Sequence, residues 1–293
     1  MKKITKAIIT AAGLGTRMLP ISYAVPKEML PIVDRPALYY LVEEAVKSGI
    51  TDILVITARG KGAIEDFFDI SCEYDAALRK KGKDGVAEEL RRIATMANIY
   101  FLRQHEPLGL GHAVACARNF VGDEPFAVLY GDDVIFSDVP VVKQLADVFE
   151  KYGKTVVGVK EVSKSDISKY SSLKVEDIEG ESRVKFCNDM IEKPKPGEEF
   201  SNLSILGRVI LTPEIFDIID ALPPGAGGEI QLTDAMARLA RDGGIYADLF
   251  EGERFDLGSK LGFLKANIKT ALSHPETADE LREFIKKTAK DLL

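Results

Sequence analysis

A glycine-rich loop with an arginine follows the first predicted strand, and this combination is suited to binding phosphate. The strand from Lys6 to Ala12 leads directly into the sequence GLGTR, which contains Gly13, Gly15 and Arg17. Glycines permit positive φ angles and close backbone approach, so successive N–H groups can face an anion. The guanidinium group is planar and can bind a phosphate through two hydrogen bonds. The loop therefore predicts a triphosphate site, although a glycine turn between a strand and a helix is about as often structural.

Two common phosphate-binding motifs are missing from this loop, but a second basic segment follows it. The dinucleotide fingerprint needs a third glycine where Met18 stands, and the P-loop needs a Gly-Lys-Ser or Gly-Lys-Thr ending. Further along, Lys27 and Glu28 lie between Pro26 and Pro31, which restrict the backbone. We expect Lys27 to neutralise phosphate charge. The alternative is that Lys27 and Glu28 form a solvated surface pair.

Carboxylate side chains occur at two other points where a strand ends. Asp132 and Asp133 come directly after the predicted strand from Phe126 to Tyr130, and Asp256 lies in the later segment FDLG. Magnesium is a hard cation that prefers oxygen ligands and commonly bridges protein to substrate phosphates. The sequence therefore predicts a Mg²⁺ site, although each aspartate taken alone could be a helix N-cap or a turn residue.

An amide and an acid–base pair complete the candidate residues. Gln104 follows the predicted strand from Ile99 to Arg103, and its side chain has both the donor and the acceptor that suit the imide edge of uracil or thymine. Alternatively, Gln104 caps the strand and His112 simply begins a helix. Glu192 and Lys193 follow a later predicted strand, where such a pair is also ordinary on a surface.

The elements that must position these residues alternate between strands and helices. Apolar residues recur at helical spacing from Ala37 to Ser48, Gly49 ends that helix, and the apolar run from Asp52 to Thr57 forms a second strand. This β-α-β unit predicts parallel strands and a right-handed crossover. Ligands bind beyond the carboxyl ends of the strands in such sheets, and the candidate residues lie at those ends.

The same alternation continues along the chain and predicts a single α/β domain over residues 1–293. Further strands are predicted at 99–103, 126–130, 155–162, 184–191, 204–211 and 245–249. Further helices are predicted at 61–68, 86–97, 111–120, 141–152, 213–221, 231–242, 260–273 and 275–290. The charged stretches Arg79 to Lys83 and Glu192 to Glu199 are predicted to be solvated loops, and no biased linker divides the chain.

Composition and charge narrow the class of function. The chain has 293 residues, 46% of them hydrophobic, and a net charge of −7, which argues against partners such as nucleic acid or an anionic membrane. The N-terminal apolar run is shorter than that of a signal peptide, and no segment is long enough to span a membrane. The three cysteines are scattered, which favours reduced thiols in a cytoplasm. The three histidines have no neighbouring ligands suited to zinc.

Two ordered motifs give a specific resemblance to a known family. The segments AAGLGTRMLP and PKEMLPIVDRP resemble the signature of nucleoside-diphosphate-sugar pyrophosphorylases, most closely the bacterial UDP-glucose enzymes. The resemblance extends from Lys6 to Leu272. It implies a three-layer Rossmann-like nucleotidyltransferase fold with a mainly parallel (mixed) central sheet. It also implies Mg²⁺-dependent transfer of a uridylyl group from UTP to α-D-glucose 1-phosphate, by a homodimer or homotetramer.

The resemblance also implies roles for individual residues and for parts of the chain. Nucleotide contacts are expected from Ala11, Ala12, Gly13, Gly15, Arg17, Lys27, Glu28, Gln104 and Gly109. Sugar-phosphate contacts are expected from Glu192, Lys193 and Asp132, metal ligation from Asp132 and Asp256, and catalytic roles for Arg17, Lys27 and Lys193. The nucleotide-binding part is expected at about 1–135, the sugar-binding part at about 136–260 and the C-terminal helices at about 260–293.

One departure from the family pattern leaves alternatives open. The family usually has Tyr-Gly where this chain has Tyr170 and Ser171, and a serine side chain would narrow the space beside the sugar. The same chemistry with dTTP or another hexose 1-phosphate is therefore an alternative. So is a regulatory paralogue that binds nucleotide without turnover. An oxidoreductase that uses a dinucleotide would rest only on the glycine turn and Asp34.

Overall fold

The strands and helices alternate through most of the chain. The computed structural model describes residues 3–292. Its strands are β1 (Lys6–Thr10), β2 (Pro31–Ile32), β3 (Arg35–Pro36), β4 (Asp52–Thr57), β5 (Asn98–Arg103), β6 (Phe126–Tyr130), β7 (Asp133–Phe136), β8 (Val156–Glu161), β9 (Ser171–Asp177), β10 (Val184–Glu192), β11 (Leu203–Leu211), β12 (Ile245–Leu249) and β13 (Glu253–Asp256). The helices are α1 (Ala37–Lys47), α2 (Gly62–Phe67), α3 (Cys72–Lys80), α4 (Asp84–Ala94), α5 (Leu110–Ala115), α6 (Arg118–Val121), α7 (Val141–Tyr152), α8 (Ile215–Asp220), α9 (Leu232–Gly243), α10 (Lys260–Ala271) and α11 (Ala278–Leu292).

The central sheet is mixed. Within residues 3–292 it contains nine strands in the order β5-β4-β1-β6-β11-β8-β12-β10-β9. The first four strands are parallel to one another, whereas β11 is antiparallel to both of its neighbours, and β10 is antiparallel to β12 and β9. The predicted α/β fold is confirmed, but the sheet is mainly parallel only in its first half.

Helices pack on both faces of this sheet. Side chains alternate along each buried strand, so apolar groups point to both faces and need to be covered. In β1, Ala7 and Ile9 pack into one hydrophobic core, which also contains buried residues of α1 and α7. Ile8 points to the other face and packs with buried residues of α5, α8 and α9. Because the helices of this three-layer arrangement pack on the faces of the sheet, the loops that follow the strands surround the carboxyl ends of the parallel strands.

Several segments differ from the sequence-based prediction, which also lacked the short strands β2, β3, β7 and β13. The stretch from Arg79 to Lys83 was predicted as a loop, but α3 extends into it because Arg79 forms ion pairs with Asp75 one turn earlier and with Glu88 of α4. The predicted helix 111–120 is divided into α5 and α6. Strand β9 was not predicted, because only its first three residues are fully buried and the rest are largely polar.

Among residues 3–292, no helix is both long enough and apolar enough to cross a membrane.

Candidate functional site

The loop after β1 lies at the carboxyl ends of three adjacent parallel strands. Ala11 N–H donates to Ile56 O of β4, and Gly131 N–H, just after β6, donates to Thr10 O. A Cβ atom on Gly131 would come within 2.3 Å of Thr10 O, so only glycine permits this close approach of β1 and β6. Asp132 is thereby held beside the glycine-rich loop.

Two cations and two carboxylates meet at this point. Lys27 Nζ lies 2.6 Å from Asp132 Oδ2, and the Arg17 guanidinium lies 3.2 Å from Asp256 Oδ2 and 3.8 Å from Asp132 Oδ2. Burial lowers the pKa of Lys27, but the Asp132 carboxylate outweighs this effect and raises it. Burial alone would raise the pKa of Asp132, yet Lys27 and Arg17 hold it below its usual value. Lys27 and Asp132 are therefore ionised together near neutral pH.

The two aspartates fit a small, hard cation. A Cβ atom built on Gly258 would lie 2.9 Å from Asp256 Oδ1, 3.0 Å from Asp132 Oδ2 and 2.4 Å from the Arg17 guanidinium, so both carboxylates border one small space that a side chain would fill. Oxygen ligands of this kind suit Mg²⁺. Among residues 3–292 no group of three or more His, Cys, Asp or Glu side chains could hold a metal ion. A cation here would therefore complete its coordination with substrate oxygens or water.

A cleft on one side of Asp132 collects most of the residues predicted for the nucleotide. Its lining includes Ala12, Gly13, Gly15, Lys27, Gln104, Gly109 and Asp132. The Gln104 amide donates to Gly109 O at 3.1 Å and lies 2.9 Å from His112 Nδ1, which fixes its orientation. Gly109 has φ 104°, and a Cβ atom there would come within 2.8 Å of Ile230 O, so a side chain would displace the segment that includes Glu229. We call this cleft, with Gln104 at its wall, the nucleotide lobe.

A second cleft opens on the other side of Asp132. Its lining includes Arg17, Tyr130, Asp132, Lys169, Tyr170, Ser171, Glu192, Lys193, Gln231, Thr233, Arg254 and Asp256. Glu192 Oε2 accepts a hydrogen bond from Thr233 at 2.9 Å, and burial raises the pKa of Glu192. Leu110, Tyr130 and Asp132 line both clefts. We call the second cleft the sugar lobe, and the two lobes meet at Asp132.

Lys193 projects its charge into the sugar lobe from an unusual backbone conformation. Its φ angle is 47°, which is rare for a residue with a side chain, and its N–H donates to Tyr170 O at 2.8 Å. About half of the side chain is exposed, and Nζ lies 3.7 Å from Glu192 Oε1. The lysine is therefore anchored through its backbone while its ammonium group remains available to a ligand.

Two of the predicted nucleotide-binding residues do not reach the cleft surface. Ala11 is fully buried, and Glu28 is 1% exposed, so neither side chain lines the nucleotide lobe. The Glu28 carboxylate instead accepts two hydrogen bonds of 2.9 Å from Lys61. Lys61 was predicted only as the first residue of a helix. Its position after the carboxyl end of β4, the strand next to β1, is a signal that could have identified it as a candidate site residue.

Ser171 and Arg254 also line the sugar lobe without having been predicted as ligand-binding residues. Ser171 is 4% exposed, and its hydroxyl accepts from Ile205 N–H at 3.1 Å and lies 3.3 Å from the Ser204 hydroxyl. The Arg254 guanidinium forms an ion pair with the Asp133 carboxylate. Burial raises the pKa of Asp133 to about 6, an effect that Arg254 opposes.

The sequence and the structure both match known nucleotidyltransferases. Residues 6–272 match the model of the nucleotidyl transferase family. The chain is 50% identical over 296 aligned residues to the UTP–glucose-1-phosphate uridylyltransferase YngB of Bacillus subtilis, covering 100% of this chain and 99% of that protein. It is 51% identical to UTP–glucose-1-phosphate uridylyltransferase 2 of Staphylococcus saprophyticus, covering 98% and 99%.

Solved structures give the same result. A UDP-glucose pyrophosphorylase complexed with UDP-glucose superposes with a TM-score of 0.84 at 39% identity, covering 92% of this chain and 100% of that one. The UTP-bound enzyme from Acinetobacter baumannii superposes with a TM-score of 0.89 at 36% identity, covering 96% and 98%.

Proposed function

This chain belongs to the nucleotidyl transferase family, and on that premise we propose that it transfers a uridylyl group from UTP to α-D-glucose 1-phosphate, forming UDP-glucose and pyrophosphate. The observation that carries the proposal is the meeting of two clefts at Asp132, with Lys27 and Arg17 beside it. A transferase that joins two phosphorylated substrates needs such a pair of adjoining sites. Relatives that are about half identical over their whole length are named for this reaction.

The chemistry needs alignment and charge neutralisation rather than a protein nucleophile. An oxygen of the sugar phosphate attacks the α-phosphorus of UTP, the bond to the bridging oxygen of the β-phosphate breaks, and pyrophosphate leaves. Both reactants are anions, so repulsion between them is the main obstacle. In the proposal, Arg17 and Lys27 neutralise the triphosphate and Lys193 holds the sugar phosphate, which reduces that repulsion where the lobes meet.

The nucleotide and sugar contacts are proposed from the geometry of each lobe. The N–H groups near Gly13 and Gly15 face the phosphates, and the oriented amide of Gln104 reads the uracil edge. Glu192, which Thr233 already binds, accepts hydrogen bonds from the sugar hydroxyls. In this proposal the nucleotide-binding part spans about residues 1–135, the sugar-binding part about 136–260 and the C-terminal helices about 260–293.

Nucleotidyl transferases generally use a divalent metal ion, and we propose Mg²⁺ held by Asp132 and Asp256. A bound Mg²⁺ would neutralise phosphate charge and polarise the phosphate under attack. Arg17 contacts both aspartates, so its guanidinium must turn towards the triphosphate when the carboxylates bind the cation. A homodimer or homotetramer and a cytoplasmic location complete the proposal.

The experiment that tests the function is a substrate panel with and without Mg²⁺. Pyrophosphate release would be measured with UTP and dTTP, each combined with glucose 1-phosphate and with other hexose 1-phosphates. We expect the highest kcat/KM for UTP with glucose 1-phosphate, and no turnover after chelation. A preference for dTTP or for another sugar would overturn the assignment, and UTP binding without any pyrophosphate release would indicate a regulatory paralogue. Calorimetry with UTP alone separates that last case from a failure to bind nucleotide.

A further inference from the structure

A buried lysine lies directly beneath the nucleotide loop. Lys61 follows β4 and is 8% exposed. Its Nζ donates to Ala11 O at 2.5 Å, to Gly13 O at 2.8 Å and to both carboxylate oxygens of Glu28 at 2.9 Å. A buried ammonium group requires such partners, and four acceptors surround this one. Two of them are main-chain carbonyls of the loop that forms the floor of the nucleotide lobe.

The contacts of Lys61 fix the direction of the loop's N–H groups. The peptide unit is planar and trans, so a carbonyl and the N–H of the following residue point in opposite directions. Because Lys61 holds the carbonyls of Ala11 and Gly13 inward, the N–H groups of Ala12 and Leu14 face away from it. Ala12 and Leu14 line the nucleotide lobe. Within residues 3–292, neither of these N–H groups donates a backbone hydrogen bond, so both remain free for an anion.

The same contacts remove two unfavourable dipoles from the phosphate site. A carbonyl oxygen facing the triphosphate would repel it, whereas an outward N–H attracts it. Lys61 holds both oxygens on the protein side, where its own charge stabilises them. The Glu28 carboxylate balances that charge beneath the loop, whereas Lys27 pairs with Asp132 and reaches the nucleotide lobe itself.

The hydrogen-bond geometry of the pair indicates a fixed, ionised contact. Burial lowers the pKa of Lys61 and raises that of Glu28, and the contact between the two groups offsets these shifts only in part. An uncharged amine has two N–H bonds and could not donate to both carbonyls and to the carboxylate at once. The ammonium form has three N–H bonds, which can serve the two carbonyls and, through one shared hydrogen, both oxygens of the Glu28 carboxylate.

We propose that Lys61 is a positioning residue for the nucleotide, which binds no substrate itself but presets the N–H groups of the loop to receive the triphosphate. This inference rests on the proposed function, because it requires that the loop binds the phosphates of UTP. The competing explanation is a buried ion pair, Lys61 with Glu28, that stabilises the fold and leaves nucleotide affinity unaffected.

The test removes the tether without leaving an unpaired buried charge. In the variant Lys61→Met/Glu28→Met, both charged side chains are replaced by apolar ones of similar length, which avoids the penalty of an isolated carboxylate. Affinity for UTP and for uridine would be measured by calorimetry. The KM for UTP would be compared with the KM for glucose 1-phosphate at saturating UTP. Far-UV circular dichroism and thermal unfolding report whether the variant is folded.

We expect the dissociation constant and the KM for UTP to rise at least tenfold. The affinity for uridine and the KM for glucose 1-phosphate should stay within about twofold, since neither ligand uses the outward N–H groups. Unchanged UTP affinity in the folded variant would overturn the proposal, and so would an equal rise in both KM values. If the double methionine variant does not fold, Lys61→Gln/Glu28→Gln is judged by the same criteria.

A matched control removes a comparable pair elsewhere. The Arg183 guanidinium bonds the fully buried Asp248 carboxylate at 3.1 Å, and both residues line a different cavity. The variant Arg183→Met/Asp248→Asn should bind UTP as the unmodified protein does. If this variant also binds UTP more weakly, the loss of affinity in the Lys61 variant comes from general destabilisation, and the proposal is overturned. If the unmodified protein fails to bind UTP, the proposed function itself is wrong, and this outcome is distinct from the failure of Lys61 to influence the loop.

Discussion

Lys27 Nζ lies 2.6 Å from Asp132 Oδ2, so a cation predicted for the triphosphate and a carboxylate predicted for the metal form one ion pair where the two lobes meet. The side chains are only 13% and 26% exposed, so water screens the pair weakly. Each group neutralises the other while no ligand is bound. In the proposed reaction, substrate binding would divide the pair, with phosphate becoming the partner of Lys27 and a cation the partner of Asp132.

The first prediction concerns the charge of Lys27. In Lys27→Met, we expect kcat/KM for pyrophosphate release to fall about 10²–10³-fold, because one preorganised positive charge is lost from the phosphate site. Lys47→Met is the control, since Lys47 also pairs with a carboxylate, Glu43 at 3.0 Å, but lies 62% exposed on α1. That variant should keep full activity. Equal activity of the two variants would contradict a role for Lys27 in catalysis.

The second prediction concerns the two aspartates that are proposed to bind the metal ion. Asp132→Asn and Asp256→Asn keep the side-chain shape but remove a charge, and each should weaken the binding of Mn²⁺ in the presence of UTP by at least about tenfold. Electron paramagnetic resonance of Mn²⁺ measures this directly, without relying on turnover. Asp138→Asn, an exposed acid just after β7, is the control and should bind Mn²⁺ normally. Normal binding in Asp132→Asn would remove that residue from the proposed metal site.

Three of the residues predicted from sequence lie after parallel strands, whereas Glu192 ends β10 and Asp256 ends β13, and both of these strands pair antiparallel. Arg17, Gln104 and Asp132 follow β1, β5 and β6, and neighbouring parallel strands bring their carboxyl ends to the same edge. Strand order within the sheet was not needed for that inference. The hydrophobic pattern and the direction of the chain are therefore enough to predict that these three side chains lie at the same edge of the sheet.

Residues whose environment depends on long-range packing could not be predicted in this way. Glu28 was expected near the uracil, but its carboxylate is drawn under the loop by Lys61, which lies 33 positions further along the chain. The position of Lys61 after β4 places it near the loop, but the sequence does not indicate that Glu28 is its partner. Similarly, Arg254 reaches Asp133 across 121 positions through the pairing of β13 with β7. The pairing of such short strands cannot be inferred from periodicity.

The third prediction concerns Ser171 in the sugar lobe. Removing its side chain in Ser171→Gly would enlarge the lobe beside Tyr170 and leave Ile205 N–H without its partner, at a cost of about 1 kcal/mol in stability. We expect kcat/KM for bulkier hexose 1-phosphates to rise severalfold relative to glucose 1-phosphate, with an unchanged KM for UTP. Ser165→Gly, on an exposed loop, is the control for the effect of glycine itself. An unchanged sugar preference would show that Ser171 does not limit the lobe.

A fully buried ion pair supports the segment that carries the aspartates. Arg208 of β11 is 0% exposed and binds the Glu44 carboxylate of α1 at 2.7–3.1 Å. Arg208 also donates to Asp133 O at 3.0 Å, and Glu44 accepts from Val142 N–H of α7 at 3.2 Å. The pair therefore joins β11, α1 and α7 to the residue next to Asp132.

The fourth prediction distinguishes the destabilisation caused by an unpaired buried charge from the net stability that the intact ion pair contributes. In Glu44→Leu the Arg208 charge remains buried without a carboxylate, and we expect the free energy of unfolding to fall by about 3–5 kcal/mol in urea titrations. Glu44→Leu/Arg208→Met removes both charges and should regain most of that loss, because an apolar pair of similar volume needs no desolvation of ions. Glu43→Leu, one residue earlier on α1, loses a partly exposed contact with Lys47 and a hydrogen bond from Tyr39, and should cost only about 1 kcal/mol. If the double variant is as unstable as Glu44→Leu, the loss comes from packing around the pair and not from the unpaired charge.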